Sequence, residues 1–201
     1  MGAVAILLAA GESQRMGRPK PLLPWAGTTL IEYQMRQLSE ASLDRIIVVL
    51  GHAWEQVEPL VGGRGVEVLV NDRYREGRAS SVRAGAAAVW DEDKAVLVLA
   101  VDQPRPAGLL SRLLDAHRQQ GGLVTVPTFE GRRGHPTVYS GALTPELRQV
   151  TEESQGLRAL ARTHASQVRE VPVDNPIVLV DINTPEEYER AHAQFAGGPP
   201  A

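Results

Sequence analysis

LLAAGESQRMGRPKPLLPW, residues 7–25, is the stretch on which the fold turns. Its first four residues close a continuous apolar run, Val4 to Ala10, that breaks off at Gly11. A short apolar run without polar alternation is the pattern of a strand buried on both faces. No tight turn follows. Arg15, Arg18 and Lys20 alternate instead with Gly11, Gly17, Pro19 and Pro21. The connection is expected to run from about Gly11 to Gly27, and a loop of that length in a compact domain points to function.

The buried-strand pattern recurs outward from this stretch. RIIVVLG (45–51), VEVLVN (66–71) and AVLVLAVD (95–102) repeat it, and LVTVP, HPTVYS, VREVPV and IVLVDI (177–182) read as later strands. Between them lie helical patterns. Residues 28–41 place Leu30, Ile31, Met35 and Leu38 on one face behind a Thr start signal, and 80–90 reads as a helix capped by Ser80 or Ser81. Residues 107–120 end at Gly121-Gly122, short helices are expected at 144–150 and 156–165, and Thr184 with Pro185 opens a terminal helix. Strand–helix alternation through the first 120 residues implies a Rossmann-like, three-layer α/β/α domain on a mainly parallel sheet. Such sheets bind ligands at the carboxyl ends of their strands.

Composition bounds the function. The 201 residues suit one domain, expected over 1–196, with a loose tail at 197–201. The formal net charge of −3 argues against a general nucleic-acid binder. Without cysteine there is neither a disulfide framework nor a thiolate metal site. The apolar start lacks a basic leader and soon meets charge, so no signal peptide or membrane span is expected and the location is expected to be cytoplasmic. Of 21 basic residues only Lys20 and Lys94 are lysine, which singles out the lysine in the first loop.

That loop fits neither common phosphate template. Gly11 is followed by Ser13 where GxGxxG needs a second glycine. Gly11 and Gly17 are one residue too far apart for GxxxxGK, and Arg18-Pro19 separates Gly17 from Lys20. Pro19 lacks an N–H and biases Arg18 to an extended backbone. The loop is expected to wrap an elongated anion, with amides near Gly11 to Ser13 as donors and cations along the path. A solvated basic surface loop is the plainer alternative.

In order, LAAGESQRMGRPK (8–20), NDRYREGRASSVRAG (71–85), AVDQP (100–104), GRRGHP (131–136) and DINTPEEY (181–188) resemble the motifs of the nucleotidyltransferase superfamily. Within it the chain is similar to the molybdenum cofactor cytidylyltransferases and guanylyltransferases of the MobA-like group. The resemblance implies the nucleotide-diphospho-sugar transferase type of fold. It also implies transfer of a nucleoside monophosphate to an acceptor phosphate, with release of pyrophosphate. Such chemistry needs two polyanions aligned and their charge neutralised.

The resemblance gives roles to particular residues. Lys20 is expected to follow the α-phosphate and Arg15 to hold the β- and γ-phosphates. Leu8, Ala9, Ala10, Gly11, Ser13 and Gly17, with Asn71, Ser80 and Ser81, are expected to bind the nucleotide. Asp102 is the expected Mg²⁺ ligand, with Asp181 or Asn183 assisting; turn capping is the alternative for Asp102. Arg132, Arg133 and His135 are candidates for the acceptor. Ala10 stands where guanylyl members tend to carry glycine, which favours CTP over GTP. The expected acceptor is a molybdopterin-type phosphate, whose product a molybdoenzyme or its chaperone would receive. A sugar or alcohol phosphate is the alternative acceptor, and a non-catalytic cofactor carrier the alternative class.

Overall fold

The computed structural model describes residues 2–153 and 156–197. In chain order the strands are β1 (Gly2–Ala9), β2 (Pro24–Trp25), β3 (Thr28–Thr29), β4 (Arg45–Leu50) and β5 (Val66–Val70). They continue as β6 (Asp93–Ala100), β7 (Val124–Phe129), β8 (Arg132–Arg133), β9 (Thr137–Ser140) and β10 (Val168–Pro172). The helices are α1 (Leu30–Glu40), α2 (Trp54–Val57), α3 (Arg78–Ala87), α4 (Ala107–Gln120), α5 (Thr144–Leu147), α6 (Leu157–Thr163) and α7 (Pro185–Ala191).

One sheet runs in the order β10-β7-β9-β6-β1-β4-β5, with β8 paired to β7. β1 pairs in parallel with β4 and β6, and β4 with β5. β9 runs antiparallel to β6 and β7, so the sheet is mainly parallel, as expected from the alternation of elements. Successive side chains of a strand point to opposite faces, and β1 uses both. Ala3, Ala5 and Leu7 join a cluster with Leu30 and Leu38 of α1 and Leu110 and Leu114 of α4. Val4, Ile6 and Leu8 join a second cluster with Val82 and Ala86 of α3. Leu7 and Ile6 are fully buried, and truncating either to Ala would cost about 2–5 kcal/mol. The result is the three-layer α/β/α architecture.

Local chemistry sets the boundaries. α1 starts with a capping box at Thr29, one residue past the expected start. The Thr29 Oγ1 accepts from the Glu32 N–H, and the Glu32 carboxylate accepts from the Thr29 N–H. α7 repeats the device with Thr184 and Glu187, Pro185 standing first inside. It ends at Ala191, before the expected Phe195, and a π-type turn follows. Of the tail expected over 197–201, only Gly197 lies within the described residues. No helix among them is long and apolar enough to cross a membrane.

Three expectations are corrected. The connection after β1 is not a bare loop to Gly27. It holds single turns at Gln14–Met16 and Lys20–Leu22, then the β2–β3 hairpin. The hairpin turns on Ala26 (φ 47°) and Gly27 (φ 80°), positive angles that suit a tight two-residue turn. Ser80 and Ser81 do not cap a helix; they lie inside α3, whose first residue is Arg78. IVLVDI is no strand: Pro176–Leu179 forms a 3₁₀ turn, with the Asn175 side chain accepting from the Ile177 N–H. Asp181 therefore does not end a strand.

β1 connects onward to β4 on one side, whereas β6 lies on its other side. At this reversal of strand order a crevice opens beyond the carboxyl ends of β1 and β6.

Candidate active site

A cleft of about 790 Å³ occupies that crevice. Its floor comes from the strand ends: Leu8, Ala9 and Ala10 of the first, Ala100 and Val101 of the second. Gly11, Ser13 and Arg15 form one wall, with Lys20 deeper in. Ser81 lines the opposite wall, from α3. Ser13 takes a left-handed conformation (φ 55°), which folds the loop back so that its hydroxyl accepts the Lys20 N–H at 3.0 Å. That bond fixes the backbone from which the Lys20 side chain reaches inward.

At the centre three side chains meet. Lys20 Nζ lies 2.6 Å from Asp102 Oδ2 and donates to Asn183 Oδ1 at 3.0 Å. The pair is largely shielded, with side-chain exposures of 13% for Lys20 and 20% for Asp102, so it is weakly screened. Asp102 stands two residues past β6, where Val101 N–H donates to the Leu8 carbonyl at 2.9 Å. The segment bearing Asp181 and Asn183 is pinned between them: Ile182 N–H donates to the Asp102 carbonyl at 2.9 Å. Asp181 accepts from Gln103 Nε2 at 2.7 Å.

A scaffold missed in the sequence holds this arrangement. Arg105 is fully buried. Its guanidinium donates to the carbonyls of His135 (2.8 Å), Pro104 (2.9 Å), Val178 (3.0 Å) and Val180 (2.9 Å). Burial pushes its pKa down to about 10, opposed by the nearby charges of Asp181 and Asp102. It stays cationic at neutral pH. Gln34, also fully buried, donates to the carbonyls of Ala100 and Gln103 and accepts from the Arg105 N–H. Neither position carries a periodicity signal; only a polar residue on the apolar face of α1, as at Gln34, hints at such a role.

The other sequence candidates divide. Gly17, Asn71 and Ser80 lie off the cleft lining. Asn71 Nδ2 donates to Ser80 Oγ at 2.9 Å and to Ser81 Oγ at 3.0 Å. Ser80 Oγ donates to the carbonyls of Arg73 and Gly77, so both residues brace the start of α3. Arg18 is exposed and off the cleft. The sequence missed Glu12, Tyr74, Arg75 and Arg78, which line it. Arg75 Nε pairs with Glu12 Oε1 at 2.9 Å, and this hydrogen bond leads the effects that hold the Glu12 carboxyl below its ordinary value.

A second cavity of about 940 Å³ adjoins the cleft. Arg133, His135 and Asp181 line it, as does Arg78; Arg132 does not. Its apolar wall includes Val82, Val98, Val126 and Leu157. His135 is half-buried and held below the usual histidine range, first by desolvation, with Asp181 opposing and Arg78 adding. Arg133 is paired with Glu170 at 2.7 Å.

Among the described residues no three His, Cys, Asp or Glu side chains cluster as a metal cage. The oxygens of Asp102 and Asn183 nevertheless converge on one cation, the Lys20 ammonium. Hard oxygen donors around a single positive charge match a site in which Mg²⁺ takes one or two protein ligands and completes its shell with phosphates and water. The arrangement can neutralise a polyphosphate and fix it in one pose.

The profile of the MobA-like NTP transferase domain matches residues 5–169. Nicotine blue oxidoreductase of Paenarthrobacter nicotinovorans is 30% identical over 92% of this chain and 94% of its own. Molybdenum cofactor cytidylyltransferase of Escherichia coli K12 is 28% identical over 94% of this chain and 95% of its own. The Rv0371c protein of Mycobacterium tuberculosis H37Rv superimposes with a TM-score of 0.84 at 28% identity, covering 96% of this chain and 98% of that one. Its complex with manganese does so with a TM-score of 0.79 at 27% identity, over the same shares.

Proposed function

The chain belongs to the MobA-like NTP transferase family, and we propose that it transfers CMP from CTP to the phosphate of a molybdopterin-type acceptor, releasing pyrophosphate. The observation that carries this reading is the convergence of Lys20, Asp102 and Asn183 at the carboxyl ends of β1 and β6. An acceptor phosphate oxygen forms a bond to the α-phosphorus, the bond to the β-phosphate oxygen breaks, and its electron pair leaves with pyrophosphate. The attacking phosphate is already anionic near neutral pH, so the chain need supply no covalent nucleophile.

In this mechanism Lys20 contacts the α-phosphate; a compact ammonium on a flexible stem can follow changing oxygens better than a planar guanidinium. Arg15, exposed at the cleft mouth, meets the β- and γ-phosphates. The strand ends at Leu8, Ala9 and Ala10 meet the base, with Gly11, Ser13 and Ser81 nearby. Ala10 is buried, and its methyl favours the smaller pyrimidine. Asp102, with Asn183 or Asp181, would hold a magnesium ion, which when bound neutralises phosphate charge as a Lewis acid. Arg133 and His135 face the acceptor from the second cavity.

The test pairs binding with transfer. Thermal shifts are recorded with CTP, GTP, ATP and UTP plus Mg²⁺, then pyrophosphate release is measured with molybdopterin. Selective stabilisation by CTP and release of one pyrophosphate per nucleotidylated acceptor are expected. Selectivity for GTP moves the reading to guanylyl transfer, and turnover with a sugar phosphate alone replaces the acceptor. Tight molybdopterin binding without NTP turnover would leave a carrier.

The 30% identity to nicotine blue oxidoreductase favours a second reading, an oxidoreductase acting on nicotine blue. Redox turnover of nicotine blue, and no pyrophosphate release with any NTP, would establish it.

A further inference from the structure

We propose that β5 is the contact strand of a homodimer, in which a second copy of this chain adds its own β5, antiparallel, to the free edge of the sheet. β5 ends the strand order on its side, and no described strand lies beyond it. Hydrogen bonds to β4 settle which of its backbone groups face outward. Ile46 N–H donates to the Gly65 carbonyl at 2.9 Å, and Asn71 N–H donates to the Leu50 carbonyl at 2.8 Å. In a parallel ladder alternate residues of a strand bond the same neighbour. The odd-numbered residues from Gly65 to Asn71 therefore face β4, and Val66, Val68 and Val70 turn their N–H and carbonyl groups to the edge. The Val66 N–H is bonded there, to the Gly63 carbonyl at 3.3 Å. The other outward groups have no protein partner among the described residues.

Edge strands that must stay unpaired carry charges, prolines or bulges. The opposite edge of this sheet does: β10 exposes Arg169 and Glu170 and ends in Pro172. β5 does not. Its outward-bonding residues are all valine, and Val70 is 40% exposed. Glu67, its one charged residue, lies on the other face and pairs with Arg45 at 2.9 Å. A second copy fits this edge about a two-fold axis through Val68. That axis sets Val68 opposite Val68 and Val66 opposite Val70, so outward groups meet outward groups. Both Val68 residues exchange N–H and carbonyl bonds, and each Val70 N–H reaches the Val66 carbonyl of the other copy. A shift of one residue would set outward groups against inward ones. The facing valines pack as cross-strand pairs on one face. Charge agrees with the same register. Arg64 precedes the strand and Asp72 follows it; both are exposed, and neither forms an ion pair among the described residues. The axis brings the Arg64 end of one copy against the Asp72 end of the other, a self-complementary patch of the kind a two-fold dimer requires.

Sedimentation equilibrium of the full chain over about a hundredfold range of concentration measures the assembly, and a dimer is expected. Val70→Lys, at an exposed site, and Arg64→Asp should each raise the dimer dissociation constant about tenfold or more. Adding Asp72→Arg to Arg64→Asp restores opposite charges and should bring the constant back within about threefold of wild type. The chain has no cysteine, so one introduced thiol reports the register. Oxidised Val68→Cys should run as a disulfide-linked dimer, because the axis sets the two thiols face to face. Val70→Cys should not, because each thiol then faces a valine. A circular dichroism spectrum like that of wild type in Val70→Lys and Arg64→Asp shows that a lost dimer is not a lost fold. The proposal is overturned by a monomer at every concentration, or by a dimer that Val68→Cys fails to link. It is equally overturned by a dimer whose dissociation constant both charge variants leave within about threefold of wild type.

Discussion

Lys20 Nζ and Asp102 Oδ2 stand 2.6 Å apart although 82 residues separate them, one on the loop after β1 and the other just beyond β6. The contact joins the two strand ends that border the crevice. Removing the ammonium takes away one preorganised charge and leaves Asp102 with no cation beside it. Lys20→Ala is expected to lower kcat by about 10²–10³. Lys20→Arg should rescue little, because the guanidinium fork is wider and stiffer than the ammonium. Steady-state pyrophosphate release checks both; turnover near wild type in Lys20→Ala would refute the role.

In the proposed mechanism Asp102 is the carboxylate that would share a divalent ion with phosphates. Asp102→Asn keeps the shape and removes the charge, so the concentration of Mg²⁺ giving half-maximal rate should rise about tenfold or more. Asn183→Ala should act in the same direction but less, since a neutral amide oxygen attracts a cation more weakly than a carboxylate. Stripping the protein with a chelator should abolish turnover, and Mn²⁺ should restore it. Metal titration of the rate, with nucleotide saturating, measures all of this.

The parts legible in the sequence were those whose physics is local. The apolar run of β1, the Thr29 and Thr184 caps and the glycine end of α4 are set by neighbours within a few residues, and the structure has them nearly where expected. Lys20 and Asp102 were each singled out, but only the fold puts them in contact. The segment 177–182 misled because Ile177, Val178 and Ile182 are buried as a strand's side chains would be. Its carbonyls at Val178 and Val180 are instead satisfied by the Arg105 guanidinium. An arginine in Asp-Gln-Pro-Arg-Pro reads as a surface residue, and no periodicity reveals that it replaces a strand partner. Asn71 and Ser80 carried a nucleotide signal by resemblance, yet their polar groups face one another behind the cleft wall.

Gln34, fully buried, links α1 to the loop that carries Asp102. In Gln34→Ala the carbonyl of Gln103 and the N–H of Arg105 lose their partner inside the protein. Leaving such groups unpaired costs about 1–3 kcal/mol. At roughly 2–4 °C per kcal/mol for a chain of this size, Tm should fall by about 2–12 °C. Because the loop carries Asp102, kcat should fall as well while KM for CTP changes little. A calorimetric Tm equal to wild type would mean that the glutamine bears no load.

Stability should depend on pH through two histidines that burial keeps neutral. His117 is buried against Thr125, its Nδ1 2.8 Å from Thr125 Oγ1, and desolvation holds its pKa below the ordinary 6.5. His135 is lowered chiefly by the same cause. As pH falls below 6.5 the unfolded chain takes up protons that the folded chain still refuses. Stability is therefore fully present above that value and declines as pH drops toward the depressed folded-state pKa values. Thermal unfolding between about pH 7.5 and pH 5 should show a falling Tm, with a shallower slope in His117→Gln, which no longer has a proton to gain. A Tm that rises on acidification across this range, or a slope unchanged in His117→Gln, would contradict the assignment of the buried imidazole as the neutral form.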